Sequence, residues 1–165
     1  MNEQFIHAFY GLGRGKTSAA IGQAIRDVGE GESVTIIQFL KGKNGDEFRL
    51  LEGLEPDVKI FRFDKSESYY RDLSLEEKED EKQNILNGFN YAKKVIETGE
   101  SEIIVLDELL GLLDLGILEV EQVKELLTMD GDYRKLYITG NILPEELVPY
   151  IQVISEIELK KDETV

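Results

Sequence analysis

Near the start of the chain, three glycines alternate with other residues and run directly into a lysine and two hydroxyls: Gly11-Leu12-Gly13-Arg14-Gly15-Lys16-Thr17-Ser18. The stretch lies between an apolar run, Phe5 to Tyr10, and a segment of helical spacing, Thr17 to Val28. Without a Cβ, glycine lets a backbone bend tightly enough for successive N–H groups to face one anion. The helix that follows adds free N–H donors and a partial positive charge at its start. In such a setting Lys16 reaches terminal phosphates and the Thr17 hydroxyl holds a magnesium ion. The commoner pattern G-x-x-x-x-G-K-S/T is not met, because its first glycine would fall on Tyr10. Taken alone, the stretch also reads as a glycine-rich turn beside a surface lysine. A strand before it and a helix after it favour the phosphate loop.

Charge narrows the ligands. Lys plus Arg number 19 and Asp plus Glu 34, a net charge of −15. That surface repels nucleic-acid backbones and anionic lipid, so neither is expected as a partner. A nucleotide would need local donors and a divalent cation to enter such a field. The chain has no cysteine, which removes disulfides and thiolate chemistry, and its one histidine, His7, cannot build a zinc site alone. The first residues show no signal peptide, and the greasiest stretch, Leu109 to Leu118, is broken by Asp114 and too short to span a bilayer. A cytoplasmic protein is expected.

Along the chain, apolar strands alternate with helices. The first strand ends at the glycines, and the helix after them carries Ala19, Ala20, Ile21, Ala24, Ile25 and Val28 on one stripe. Val34 to Leu40 is nearly continuous in apolar character, as in a strand covered on both faces, and runs into the basic turn Lys41 to Gly45. Val58 to Phe63 is a further strand, followed by a loop from Asp64 to Asp72 holding Tyr69 and Tyr70. Ser74-Leu75-Glu76-Glu77 is a capping box that opens a helix ending at Gly99, with the acidic run Glu76 to Glu81 as a solvated face. Ile103 to Leu106, Lys135 to Thr139 and Ile151 to Leu159 complete the strands. Helical stretches around Leu109 to Leu113, at Val120 to Leu127 and at Pro144 to Tyr150 lie between them. The pattern predicts one α/β domain over residues 1–165: a doubly wound, mainly parallel sheet of the P-loop nucleotide-binding, RecA-like kind.

In such sheets ligands gather at the carboxyl ends of the strands. Asp107-Glu108 follows directly on Leu106, so an acidic pair and the glycine loop should meet there. A carboxylate at that point binds magnesium directly or through water, or else caps the next helix. With the loop present, the pair is read as half of a magnesium–nucleoside triphosphate site. Glu108 and Thr17 are the metal candidates, and Asp107 stands behind them. Phosphate loops serve many reactions, so the reaction itself stays open at this point. No N-K-x-D tetrapeptide is present to read guanine. Glu108 as a water-activating base would make an ATPase or kinase.

Four motifs, in order, make the chain similar to the ATP:corrinoid adenosyltransferase family. The family's G-N-G-K-G-K-T-T-A-A corresponds to Gly11 through Ala20, sharing the glycine spacing that fails the common pattern at Tyr10. Its V-Q-F-x-K-G corresponds to Ile37-Gln38-Phe39-Leu40-Lys41-Gly42. Its V-L-D-E, followed eight residues on by glycine, corresponds to Val105-Leu106-Asp107-Glu108 and Gly116. Its T-G-R-x-x-P-x-x-L corresponds to Thr139-Gly140-Asn141-Ile142-Leu143-Pro144-Glu145-Glu146-Leu147. The resemblance implies transfer of the 5′-deoxyadenosyl group of ATP to Co(I) of a corrinoid, with triphosphate leaving whole. Cobalt is then the nucleophile, and no side chain need be nucleophile or base. Gly11, Leu12, Gly13, Arg14, Gly15, Lys16, Thr17, Ser18 and Lys41 become the nucleotide contacts. Lys16 and Glu108 give electrostatic and metal support, and Tyr69 and Tyr70 are candidates to face the corrinoid. An electron-donating reductase and a homodimer are the implied protein partners.

Three features depart from the family. Its T-G-R arginine is Asn141 here, which removes a bidentate phosphate partner. Its F-T-W segment has no clear equivalent, with Tyr69-Tyr70 in roughly that region. Its terminal K-H-P region is absent, the sequence closing on Leu159 to Val165. A non-catalytic ATP-binding relative is therefore a third reading beside the transferase and the ATPase.

Overall fold

The computed structural model describes residues 4–40, 46–54, 57–63 and 68–164. Among them, six strands form one sheet: β1 (Phe5–Tyr10), β2 (Val34–Gln38), β3 (Val58–Arg62), β4 (Ile103–Asp107), β5 (Lys135–Gly140) and β6 (Val153–Glu156). Their spatial order is β3-β2-β4-β5-β1-β6, and every pairing is parallel. The helices are α1 (Lys16–Gly29), α2 (Asp46–Glu52), α3 (Leu75–Thr98), α4 (Gly111–Asp114) and α5 (Val120–Leu127), with a 3-10 helix at Glu145–Tyr150.

The central strands β2 and β4 are buried at every position, so both of their faces are covered and their side chains are mostly apolar. Alternate side chains divide between two cores. Val34, Ile36, Ile103 and Val105 meet Ala20, Ile21 and Ala24 of α1 on one face. Ile37, Ile104 and Leu106 meet Ile85, Phe89, Ala92 and Ile96 of α3 on the other. Burial of such side chains stabilises by about 1.5–3 kcal/mol each. Ile25, assigned to the α1 stripe by spacing, is half exposed, and the buried place at the end of that stripe goes to Asp27. Its carboxylate accepts from Lys135 Nζ and from Tyr137 Oη, each at 2.7 Å, which ties the end of α1 to β5. Burial and this neighbouring carboxylate push the Tyr137 phenol far above its ordinary range.

The capping box of α3 is present: Glu77 N–H donates to Ser74 Oγ at 3.2 Å and Ser74 N–H to Glu77 Oε2 at 2.8 Å. One member of the acidic run departs from its solvated reading, since Glu81 is buried, one turn before Ile85 on the face that packs on the sheet. Helix α2 escaped the sequence reading because it is only seven residues long and carries no long apolar stripe. Strand β6 is also shorter than the apolar run Ile151 to Leu159 suggests. Among the described residues it pairs only with β1, and β1 ends where the glycines begin, so the ladder stops after Ile157 N–H reaches Tyr10 O at 2.8 Å. No described helix is long and apolar enough to cross a membrane.

Candidate functional site

Strand order places the loop and the acidic pair together at the carboxyl ends of the parallel strands, the edge of the layer where the loops emerge. β5 lies between β4 and β1, so Thr139 stands between Asp107 and the glycine loop. Gly11, Gly13 and Gly15 have φ of 141°, 108° and 115°, values that side chains with a Cβ rarely adopt. Gly15 caps α1, and Lys16 is its first residue. The Lys16 side chain is nearly buried and folds back over the loop. Its Nζ donates to Gly13 O at 3.1 Å and to Asn141 Oδ1 at 2.7 Å. The asparagine standing at the family's arginine position therefore has a definite partner: it holds the loop lysine.

Beneath the loop, Asp107 is fully buried and bonded on both oxygens. Thr17 Oγ1 and Thr139 Oγ1 each donate to Oδ1 at 2.8 Å, and Gln38 Nε2 donates to Oδ2 at 3.2 Å. Thr139 Oγ1 also accepts the Glu108 N–H at 2.8 Å. That bond helps hold Glu108 at φ 64°, the one described non-glycine residue with a left-handed backbone. Such a conformation costs about 1–2 kcal/mol, so the surrounding bonds must fix it. Gln38 Oε1 is buried without a hydrogen-bond partner among the described residues. Thr139 and Gln38 were not assigned roles from the sequence. The available signal was a buried polar residue at the end of an otherwise apolar strand, which must find a partner.

Two clefts open at this edge. One, of about 310 Å³, is lined by Gly13, Arg14, Gly15, Lys16, Thr17, Ser18 and Glu108. The other, of about 470 Å³, is lined by Leu40, Tyr69, Tyr70, Arg71, Glu108, Leu115 and Asn141. Glu108 belongs to both. The paired tyrosines thus come to the same edge as the phosphate loop, though more than fifty residues separate them in sequence. Arg71 lies 5.5 Å from the Tyr69 ring centroid, and Lys78 5.8 Å from that of Tyr70. Burial, with Glu79 and Glu81 nearby, holds the Tyr70 phenol above its ordinary value, so it stays neutral.

Leu12 is exposed at the tip of the loop. Arg14 lines the smaller cleft and is paired with Asp162 at 2.9 Å. Lys41 lies outside the described residues. No cluster of three or more His, Asp or Glu side chains suited to a metal occurs among the described residues. Magnesium does not require one, since it keeps several waters and takes substrate phosphate oxygens beside one or two carboxylates. The donor set fits such an ion: a threonine hydroxyl, a buried carboxylate beneath it, Glu108 at the rim and the orphaned Gln38 oxygen.

Known proteins resemble the chain over most of its length. The corrinoid adenosyltransferase of Escherichia coli K12 is 29% identical over 156 residues, covering 92% of this chain and 75% of the relative. Corrinoid adenosyltransferase CobA of Salmonella typhimurium gives the same figures, 29% over 156 residues with 92% and 75% covered. An uncharacterised protein of Nostoc is 28% identical over 166 residues, and there the chain spans only 43% of the relative's length. The pattern of the family described as ATP:corrinoid adenosyltransferase BtuR/CobO/CobP matches residues 2–164. With its motifs in order along an all-parallel sheet and the family's pattern matched over residues 2–164, the chain belongs to the ATP:corrinoid adenosyltransferase family.

Proposed function

We propose that the chain transfers the 5′-deoxyadenosyl group of ATP to the Co(I) centre of a corrinoid and releases triphosphate. The observation that carries this reading is the meeting of two unlike clefts at Glu108, one walled by phosphate-loop residues and one by tyrosines. A hydrolase needs only the first. A transferase must hold a triphosphate beside a large, flat second substrate, and the tyrosine-lined cleft provides for it.

In this reading the cobalt electron pair forms the Co–C bond as the C5′–O bond breaks, and the electrons of that bond leave on triphosphate. The protein's tasks are then to hold the leaving group and to align two reactants. The loop amides and Lys16 Nζ bind the phosphates, and Asn141 keeps the ammonium group at the mouth of the loop. Lys41 is proposed as a further phosphate contact. Thr17 and Glu108 would hold magnesium, with Asp107 orienting the threonine hydroxyl from below. When bound, the ion neutralises charge that develops on the leaving triphosphate. Tyr69 and Tyr70 offer apolar faces to the corrinoid, and the Tyr70 phenol, held neutral, adds no charge there.

A cytoplasmic setting, an electron-donating reductase that delivers Co(I) and a homodimeric assembly complete the proposal. The test is anaerobic incubation of protein, magnesium, ATP and chemically reduced cob(I)alamin, followed by its absorption spectrum. Formation of adenosylcobalamin supports the transferase. ADP and phosphate without an alkylated corrinoid would point to an ATPase, and tight ATP binding with no product to a non-catalytic relative.

A further inference from the structure

The segment after β6 lies against the phosphate loop. A Cβ on Gly11 would stand 2.1 Å from Ile157 O, one on Gly13 2.9 Å from Leu159 Cδ1, and one on Gly15 3.3 Å from Ile157 Cγ2. All three loop glycines thus face the same eight-residue strip. Farther along, Arg14 donates to Asp162 Oδ2 and to Thr164 Oγ1, both at 2.9 Å. Thr164 in turn donates its N–H to Asp162 Oδ1 at 3.0 Å. None of residues 157–164 lines the smaller cleft, so the strip backs the loop on the side away from it. We propose that residues 157–164 are the outer wall of the nucleotide site, with Ile157 and Leu159 seating the glycines and Asp162 fixing Arg14 at the rim.

The inference rests on the nucleotide reading of the loop and adds to it a reason for the three glycines. A free glycine-rich loop samples many backbone states, and a ligand that needs one of them must offset the lost freedom. A wall that presses on Gly11, Gly13 and Gly15 removes part of that cost beforehand. The Arg14 contact works in the same direction. It is exposed, so its own contribution is small, but it holds the one cationic side chain in the middle of the loop at a fixed place. The bonds from Thr164 and the contact with Arg14 hold the Asp162 carboxyl down to about 2, so the contact is intact throughout the neutral range.

The experiment is titration of magnesium–ATP into the full chain and its variants, beside steady-state kinetics for both substrates. Asp162→Asn should weaken ATP binding by about two- to fivefold, the range of an exposed pair. Leu159→Ala with Asp162→Asn should weaken it by about tenfold, with kcat at saturating ATP and the corrinoid KM unchanged. Leu159→Met alone, which keeps an apolar side chain against Gly13, should bind ATP with wild-type affinity. Lys16→Ala is the reference: if that variant still binds ATP normally, the nucleotide reading itself fails. If Lys16→Ala loses binding while the double variant binds like wild type, the wall is refuted and the nucleotide site stands. Equal loss toward both substrates would mean general loosening and would also overturn it. Hydrogen exchange on the wild-type protein gives a check that requires no variant. Amides of 12–16 and of 158–163 should gain protection together on adding magnesium–ATP, and protection of the loop alone would contradict the proposal.

Discussion

The two clefts that meet at Glu108 are built in opposite ways. The smaller comes from one continuous stretch, Gly13 to Ser18, set on a buried network in which both Asp107 oxygens are bonded. The larger is assembled from separate loops and rests on no such buried network; Tyr69 is 65% exposed and Tyr70 half-buried. Triphosphate is a compact, highly charged group that needs donors already in place, because reorganising them during reaction adds to the barrier. A flat, largely apolar partner asks for area and shape, which loops supply without a fixed hydrogen-bond pattern. The difference teaches that precision is concentrated on the leaving-group side of this molecule.

If the contrast is right, damage to the smaller cleft should be severe and specific to ATP. Lys16→Ala removes the charge-assisted donor and should weaken ATP binding by about 100-fold or more, read by titration calorimetry. Retained affinity would break the comparison. Asp107→Ala strands the hydroxyls of Thr17 and Thr139 and the amide of Gln38 together. It should lower unfolding free energy by about 2–4 kcal/mol in urea melts, besides impairing ATP binding. Asp107→Asn, which keeps an acceptor, should recover most of that stability.

The larger cleft should be more forgiving. Tyr69→Ala together with Tyr70→Ala should raise the corrinoid KM by about tenfold while leaving the ATP dissociation constant unchanged. A matching loss of ATP affinity would mean that the clefts are not separable.

The smallest effect concerns His7, beneath the loop on β1. Its ring is stacked on Phe9 at 4.0 Å, and Nε2 shares a hydrogen bond with Ser155 Oγ at 2.8 Å, joining β1 to β6. Burial lowers its pKa below the ordinary 6.5. The folded state therefore binds fewer protons than the unfolded one just below pH 6.5, and stability must rise with pH across that window. The contribution is complete above 6.5 and is lost as pH falls through the depressed folded value. His7→Asn should flatten the pH dependence of the melting temperature between 6.5 and mildly acidic pH, leaving ATP affinity at pH 8 unaltered.

The sheet was legible in the sequence because strands covered on both faces read as nearly continuous apolar runs, as Ile103 to Leu106 does and as Val34 to Ile37 does apart from Thr35. Helix α3 was legible through its capping box and the αL glycine at its end. What failed were ends and exceptions. Strand β6 stops where its partner β1 stops, which no local pattern reports. Asp27 and Glu81 are charged residues on buried faces, and only tertiary partners could place Asp27. At the site, Gly11 to Ser18 and Asp107-Glu108 announced themselves because phosphate and metal chemistry demand those residue types. Thr139 and Asn141 did not, since a threonine or an asparagine serves many purposes and their roles here come from β5 lying between β4 and β1. The packing of Ile157 and Leu159 on the loop glycines was invisible for the same reason.

The central claim is that triphosphate leaves whole while its adenosyl group crosses to the second cleft. Phosphorus NMR of a completed anaerobic reaction with ATP, magnesium and cob(I)alamin tests it most directly. The account predicts free triphosphate in equal amount to the adenosylated corrinoid, with no ADP. ADP and phosphate in place of triphosphate would contradict it.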